Sequence, residues 1–244
     1  MIIKFYMIAI LILCFVLPLN ATTLIVDDGF DGNYFDITYY NKDKKTSGAG
    51  KLSVQLQNST EWLPAFCVDL GTKLYSGENY FEIFKSPSNY LSNGKYVEWI
   101  MNYALSLPEV KDEKDYAGAG LQLAIWEVLY DFDSFSLDGK YNLSNDEDNG
   151  GNFFYNPSSY YLDTTDTDTY YDKYIAALIS QMQTPGSIPN SSGKYVVADL
   201  YKNKNGVNVN GQDIIIAVVP EPTTLMLLSF GLLGLSAFGR RKNS

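Results

Sequence analysis

The sequence predicts an α+β fold, a single domain whose β-sheet comes from both chain ends and whose helices lie in the middle. Segments rich in β-branched and aromatic residues, separated by turn clusters, fill residues 22–84 and 195–219. Between them, apolar residues recur at helical spacing. The chain has 244 residues and is 46% hydrophobic and 15% aromatic. That composition is enough to bury one globular core of about 200 residues.

The first 21 residues have the pattern of a secretory signal peptide. Lys4 precedes an apolar run from Phe5 to Leu19, and the small residue Ala21 offers a cleavage site before Thr22. An uncleaved anchor helix is the alternative reading, but the run is shorter than the roughly 20 residues that a spanning helix needs. We therefore expect residues 1–21 to be a signal peptide and residues 22–218 to be the exported domain.

Strands are predicted at the start of the exported domain from their β-branched and aromatic content, at residues 22–26, 34–40 and 52–57. The polar stretch 41–50 predicts a loop. In the next segment, 62–70, Pro64 confines a strand to Ala65 onward, because proline cannot donate to a ladder. Residues 79–84 predict a further short strand.

Three helices are predicted between the two strand-rich regions. The first covers 96–107 and stops before a proline, which disfavours helix in the residue that precedes it. The second, 115–130, has apolar side chains around most of its circumference and is expected to be buried on several sides. Its Gly118 and Gly120 are poor helix formers, and we expect them to allow close approach by a neighbouring backbone. The third helix is predicted at 170–183.

Residues 132–168 separate the last two helices and are rich in Asn, Asp, Ser and Tyr, with little periodicity. A loop of that length is unusual unless it is functional or flexible, so it is expected to border a binding surface or to move. The final strands are predicted at 195–200 and 213–219. Together these elements place sheet at both ends of the domain and helices in its centre.

The charge of the exported domain excludes several functions. Removing Lys4, Arg240, Arg241 and Lys242 lowers Lys plus Arg from 18 to 14, and removing Glu221 lowers Asp plus Glu from 28 to 27, which leaves a charge near −13. Nucleic acid is not an expected partner, because its phosphates need a basic surface.

The chain contains no histidine, so histidine zinc sites and Ser-His-Asp or Cys-His catalysis are excluded. The acidic stretches 145–151 and 163–168 offer oxygen ligands for Ca²⁺ but lack the spacing of an EF-hand. We therefore expect no metal, no cofactor and no enzymatic turnover.

The C-terminus combines three features in a fixed order. Pro220, Glu221 and Pro222 are followed by an uncharged apolar run over 223–239 and then by Arg240 and Arg241. The run is at the lower limit of length for a transmembrane helix, and the cations fit the positive-inside rule.

This arrangement resembles the PEP-CTERM sorting tail of Gram-negative bacteria, also catalogued as the ice-binding protein C-terminal domain. The resemblance implies that exosortase, a membrane protease, recognises the tail 219–244 and removes it. It also implies transient anchoring in the membrane and delivery to the cell surface or the polysaccharide matrix. An ordinary stop-transfer anchor is the alternative.

Cys67 is the single cysteine of the exported domain, because Cys14 lies in the signal peptide. No internal disulfide is therefore possible. A lone cysteine in a secreted protein is either a buried small hydrophobe or a reactive group. The bulky neighbours Phe66 and Val68 favour burial.

Two short motifs, taken together, favour a reactive Cys67 over an inert one. Phe66-Cys67-Val68-Asp69 and Gln122-Leu123-Ala124-Ile125-Trp126 resemble the Cys-Gln thioester domains, of the TQXA type, in Gram-positive surface adhesins. Phe66 and Asp69 suit the first motif of that family, whereas Gln122, Ala124 and Trp126 fit the second in register. Leu121 stands where the family has threonine.

The resemblance implies an internal thioester between Cys67 and Gln122. An amine of an extracellular polysaccharide or of a surface protein would attack the Gln122 carbonyl, and Cys67 would leave, so the protein would react once. Phe66, Ala124 and Trp126 would form the pocket. Asp69 would orient the nucleophile or accept its proton, although a capping carboxylate is the alternative.

The sequence therefore predicts an adhesion module of the cell surface or the biofilm matrix. A non-covalent structural or carbohydrate-binding matrix protein, in which Cys67 is inert and buried, is the alternative. A hydrolase acting through carboxylates of 132–168 has no motif at a recognisable spacing to support it.

Overall fold

The computed structural model describes residues 23–27, 31–39, 45–57, 59–72, 74, 77–111, 115–132, 153–157, 165–190, 193–204 and 207–217. The predicted signal peptide and the sorting tail with its helix 223–239 lie outside these residues. Within the described ranges, no helix is long and apolar enough to cross a membrane.

Nine strands and five helices make up the described part of the chain. The strands are β1 (Thr23–Val26), β2 (Asp31–Tyr39), β3 (Lys45–Leu56), β4 (Trp62–Cys67), β5 (Gly77–Lys85), β6 (Phe153–Pro157), β7 (Tyr195–Lys204), β8 (Val207–Asn210) and β9 (Ile214–Ala217). The helices are α1 (Pro87–Tyr90), α2 (Gly94–Ala104), α3 (Pro108–Lys111), α4 (Asp115–Tyr130) and α5 (Thr165–Met182). The predicted mixture of helix and sheet is confirmed.

The strands form one curled antiparallel sheet in the order β1-β5-β7-β9-β4-β3-β2-β6, with β8 paired to β7. β1 also pairs with β3, where Leu24 lies opposite Leu56 and Val26 opposite Val54. Six strands, β1-β5-β7-β9-β4-β3, therefore close into a ring, and β2 and β6 extend from it. Closure gives β1 and β3 partners that an open sheet would lack.

β3 joins the ring to this extension. Residues 45–51 pair with β2, and the end of the strand pairs with β1 along the same edge. On the other edge, β4 pairs with β3 only where residues 62–65 lie opposite 55–52. Among the described residues, this second edge of β3 has no strand partner over 45–50.

α4 lies at the centre of the fold and is buried at every residue from Ala117 to Val128. It packs against β2 and β3 on one side and against α2 and α5 on others. Trp126 and the β-strand residues Phe35 and Phe66 are among the largest fully buried side chains. The prediction that this helix is buried on several sides is confirmed.

The two glycines of α4 allow close backbone approach, as predicted. A Cβ on Gly118 would lie 3.2 Å from the backbone nitrogen of Lys51 in β3. A Cβ on Gly120 would lie 2.8 Å from the Tyr171 nitrogen and 2.9 Å from the Thr167 oxygen of α5. Glycine at both positions therefore lets α4 contact a strand and a helix directly.

Two local predictions at β3 and β4 were wrong. β3 begins at Lys45, inside the predicted loop 41–50, because β2 pairs with it residue by residue. Pro64 lies within β4, opposite Ser53, rather than before the strand. The pairing of β4 with β9 begins only at Ala65, so at Pro64 β4 is still an edge strand, where a missing N–H is tolerated.

Four short elements were not predicted, namely α1, α3, β6 and β8. β6 lies within the segment 132–168 and pairs with β2, with Phe35 opposite Pro157. Its five residues are too few to show a clear period. Residues 133–152 and 158–164 of that segment lie outside the described part.

Candidate functional site

Cys67 is the last residue of β4 and is 7% exposed. It lies opposite Ile214 of β9, and the next residue, Val68, donates its N–H to Asp213 O at 2.9 Å. Burial, and secondly the charge of Asp69, raise the pKa of the Cys67 thiol. The thiol is therefore protonated at neutral pH.

The Gln122 side chain pairs with the backbone of Cys67. Its Nε2 donates to Cys67 O at 2.8 Å, and its Oε1 accepts the Cys67 N–H, also at 2.8 Å. Gln122 is 1% exposed, so both bonds are shielded from water. These two hydrogen bonds have the pattern of a hydrogen-bonded residue pair in an antiparallel ladder.

The position of Gln122 follows from the way β3 leaves β4. Ala65 is the last β4 residue that lies opposite a β3 residue, Leu52. Two residues further along β4, the Cys67 N–H and C=O would have no strand partner on that side. Gln122 satisfies both groups, and Gly118, one turn earlier in α4, permits the approach to β3.

This geometry favours attack on the Gln122 amide. The Cys67 N–H is a donor placed at Oε1, the atom that gains negative charge when a nucleophile adds to the side-chain carbonyl carbon. In a buried site such a donor is more effective than in water. The same residue carries the thiol, so nucleophile and oxyanion donor come from a single position.

Two residues that the sequence analysis missed hold the segment after β4. The Tyr130 hydroxyl, near the end of α4, donates to Val68 O at 3.3 Å and accepts the Leu70 N–H at 3.0 Å. Gln212 donates its Nε2 to Asp69 O. Tyr130 lies about two turns after Gln122 in the sequence, a spacing that could have indicated a second contact of the same helix.

Asp69 forms a local turn. Its Oδ1 accepts the Gly71 N–H at 2.6 Å, which is the contact of a capping carboxylate. Its negative charge raises the pKa of the Cys67 thiol and so opposes formation of the thiolate.

Phe66, Ala124 and Trp126 are all 0% exposed and belong to the hydrophobic core. The Trp126 ring centroid lies 6.5 Å from that of Phe153 in β6. None of these three residues lines the cavity beside Cys67.

A cavity of about 520 Å³ opens beside Cys67. Its wall comes from β2, β3, the end of β4, the segment after β4 and the segment between β8 and β9. The lining residues are Tyr34, Ile37, Lys45, Thr46, Ser47, Gly48, Leu52, Cys67, Leu70, Gly71, Thr72, Leu74 and Gln212. Gln122 is not part of the wall, so Cys67 is the member of the pair that meets the cavity. The described residues contain no group of three or more acidic or cysteine side chains that could hold a metal ion.

Comparison with known families gives two matches. Residues 64–184 match the thioester domain, and residues 218–242 match the PEP-CTERM protein-sorting motif. Neither a curated protein nor a solved structure matches the chain. The first match includes Cys67 and Gln122, and the second includes Pro220, Glu221, Pro222, Arg240 and Arg241, which lie outside the described residues. Both resemblances stated from the sequence are confirmed.

Proposed function

We propose that this chain, which carries a thioester domain and a PEP-CTERM sorting motif, is an exported adhesion protein that attaches covalently to an amine-bearing partner. The observation that carries the proposal is the pair of 2.8 Å hydrogen bonds between the Gln122 amide and the Cys67 backbone. They hold an amide electrophile beside the residue that supplies the thiol.

In the first step, Cys67 Sγ bonds to the Gln122 carbonyl carbon, and the bond from that carbon to Nε2 breaks. Ammonia leaves and carries the thiol proton with it, so the products are a thioester and one ammonia. The Cys67 N–H stabilises the oxygen of the tetrahedral intermediate. The two hydrogen bonds hold the amide beside the Cys67 backbone, which lowers the entropy lost when thiol and amide come together.

In the second step, the nitrogen of a primary amine attacks the same carbon, and the bond to Sγ breaks. The sulfur takes up the proton that the amine loses, which restores the Cys67 thiol. The product is an amide between Gln122 and the partner. Burial raises the pKa of the Cys67 thiol, so the released sulfur stays protonated. No turnover follows, because Gln122 remains bonded to the partner.

The sorting motif supports export and processing at the C-terminus. In this proposal the signal peptide 1–21 directs secretion, and the helix 223–239 anchors the chain until exosortase cleaves the tail. The domain then reaches the cell surface or the biofilm matrix of a Gram-negative bacterium, where a polysaccharide or surface protein supplies the amine.

Intact mass combined with thiol alkylation in denaturant tests the bond. We expect the purified exported protein, without the signal peptide and therefore without Cys14, to lack the mass of one ammonia and to resist alkylation until hydroxylamine cleaves the thioester. An internal Lys-Gln amide also loses one ammonia, but it leaves Cys67 alkylatable, so the second readout separates the two. Cys67→Ala is the control. An unmodified mass with an alkylatable Cys67 would contradict the proposal.

The burial of Cys67 favours one alternative function, a non-covalent matrix protein with an inert core cysteine. That alternative predicts an unmodified mass in the wild-type protein. The same measurement therefore decides between the two functions.

A further inference from the structure

We propose that the cavity beside Cys67 binds an extended peptide of the partner, which adds as a strand to the β3 edge at 45–48 and directs a lysine side chain at the reactive centre. Within the described residues, no strand pairs with this edge. The covalent step rests on the proposed function, but the binding step does not. The acceptor is therefore a protein segment rather than a polysaccharide amine.

The first observation is the gap that opens between β3 and the chain that follows β4. The two strands pair from Gln55 and Trp62 to Leu52 and Ala65. Beyond this point residues 45–48 of β3 and residues 70–72 line the same cavity. The cavity thus occupies the place where the ladder between these two segments would otherwise continue.

The second observation is that the cavity meets the backbone edge of β3. Four consecutive residues, Lys45 to Gly48, line it. Successive side chains of a strand point to opposite faces, so a cavity that meets four in a row reaches the edge of the strand. β2 pairs with the other edge of these residues, with Ile37 opposite Lys45 and Tyr34 opposite Gly48. A strand edge at a cavity presents the N–H and C=O groups that an extended peptide binds.

The third observation gives the length and charge of the peptide. Because Ala65 lies opposite Leu52, Cys67 lies at the level of Gly50. Lys45 is five residues further along β3, roughly 16 Å at 3.3 Å per residue. Lys45 is the one charged side chain among the cavity-lining residues of the described chain, and it is exposed. A peptide with a lysine at the Cys67 end and an acidic residue about five positions away complements this wall.

The test compares primary amines carried on a peptide, on the same peptide with blocked backbone donors, on an alkyl chain and on a sugar. The probes are a short valine-threonine peptide with one lysine and, about five residues away, one glutamate; the same peptide N-methylated at alternate backbone nitrogens; butylamine; and glucosamine. We expect the unmethylated peptide to form its adduct with the full-length protein at least about tenfold faster than each of the other three probes. Intact mass measures the rate of adduct formation. Methylation removes the donors that a strand needs.

Charge reversal tests the role of Lys45. Lys45→Glu should lower the rate with the glutamate peptide by about tenfold and raise the rate with a peptide that carries a second lysine instead. Lys194→Glu is the matched control, because Lys194 is exposed, bonds to Asn102 and does not line the cavity. Both rates should be unchanged in that variant.

Equal rates for the peptide and butylamine, or a faster reaction with glucosamine, would overturn strand addition. The proposed thioester function would still stand, because the amines would have reacted. If no amine reacts and the mass is unmodified, the proposed function fails. Binding of the labelled peptides to the Cys67→Ala protein, followed by fluorescence anisotropy, then tests strand addition by itself. Tighter binding of the unmethylated peptide supports it, whereas equal affinity or no binding overturns it.

Discussion

Gln122 completes the hydrogen bonding of Cys67 at the point where β3 leaves β4. A helix side chain thereby takes the place of a strand, and the residue that needs this help is the one that carries the thiol. The structural role and the chemical role of Gln122 have the same cause, because the two hydrogen bonds that satisfy the backbone also hold the amide beside the cysteine.

Removing the Gln122 amide should destabilise the domain even when no thioester can form. In a Cys67→Ala background, Gln122→Met leaves the buried N–H and C=O of residue 67 without partners. We expect a loss of about 2–4 kcal/mol in the free energy of unfolding, measured by denaturant titration. Gln181→Met is the control, since Gln181 is only half-buried and its amide nitrogen bonds to Ser187 O at 3.3 Å. Equal losses in the two variants would contradict the prediction.

The glycines of α4 should differ in what a methyl group does. Gly120→Ala places a Cβ 2.8 Å from backbone of α5, so it should destabilise by about 1–3 kcal/mol although alanine is the better helix former. Gly118→Ala meets Lys51 less tightly, at 3.1 Å from its Cβ. We expect this variant to fold but to form less thioester, because α4 must move away from β3. Thermal unfolding measures the stability of Gly120→Ala, and intact mass measures the fraction of Gly118→Ala protein that has lost one ammonia. A Gly118→Ala protein that has lost ammonia completely would contradict the second prediction.

Glu127 should make the stability of the domain depend on pH. It lies in α4 and is 0% exposed, and no hydrogen bond of normal geometry reaches its carboxyl oxygens within the described residues. Burial, and then the charge of Asp131, raise the pKa of Glu127 from 4.5 to about 8, while the nearby Tyr171 hydroxyl opposes the shift.

Between these two pKa values the folded state of Glu127 holds a proton that the unfolded chain has lost. Stability should therefore fall as pH rises from 4.5 to about 8 and be constant above that. Glu127→Gln should remove this loss of stability. Its free energy of unfolding should exceed that of the wild type by on the order of a few kcal/mol at pH 8 and should equal it near pH 4.5. Melting temperatures across this range measure the difference. Glu61→Gln, at an exposed position, is the control, and parallel curves for Glu127→Gln and wild type would refute the assignment.

Cys67 should be unreactive when it is free and the protein is folded. Gln122→Glu removes the amide that yields ammonia, so the thiol stays unmodified. Its burial and raised pKa predict alkylation by iodoacetamide at least about 100-fold slower than in the same protein unfolded in denaturant. Comparable rates in the two states would mean that the cavity opens the thiol to solvent more than the structure indicates.

Processing of the tail should depend on the Pro-Glu-Pro sequence. Substitution of Pro220 or Glu221 by alanine should leave the C-terminal segment attached when the protein is produced in its native host, as judged by intact mass. Asn243→Ala, outside the matched motif, should be processed normally. Normal processing of the Pro220 and Glu221 variants would exclude recognition of these residues by exosortase.

Local patterns predicted the long helices well. α4 has the bounds that its apolar period indicated, and its two glycines contact neighbouring backbones as their low helix propensity suggested. The errors fall where pairing overrides local preference. Residues 45–50 are polar and glycine-rich, yet they form a strand because β2 lies beside them, and Pro64 is accepted because β4 has one neighbour there.

By itself, the sequence determined which residues have the chemistry for a thioester, because the single cysteine of the exported domain, the glutamine four residues before Trp126 and the absence of histidine are matters of composition and short motifs. It also determined the sorting tail, which is a linear signal. Only the tertiary structure decided that the Gln122 amide bonds to the Cys67 backbone, that Asp69 closes a turn, and that Phe66 and Trp126 do not line the cavity. These outcomes depend on where β3 separates from β4 and how closely α4 approaches, and contacts between residues 55 positions apart follow from packing rather than from local sequence.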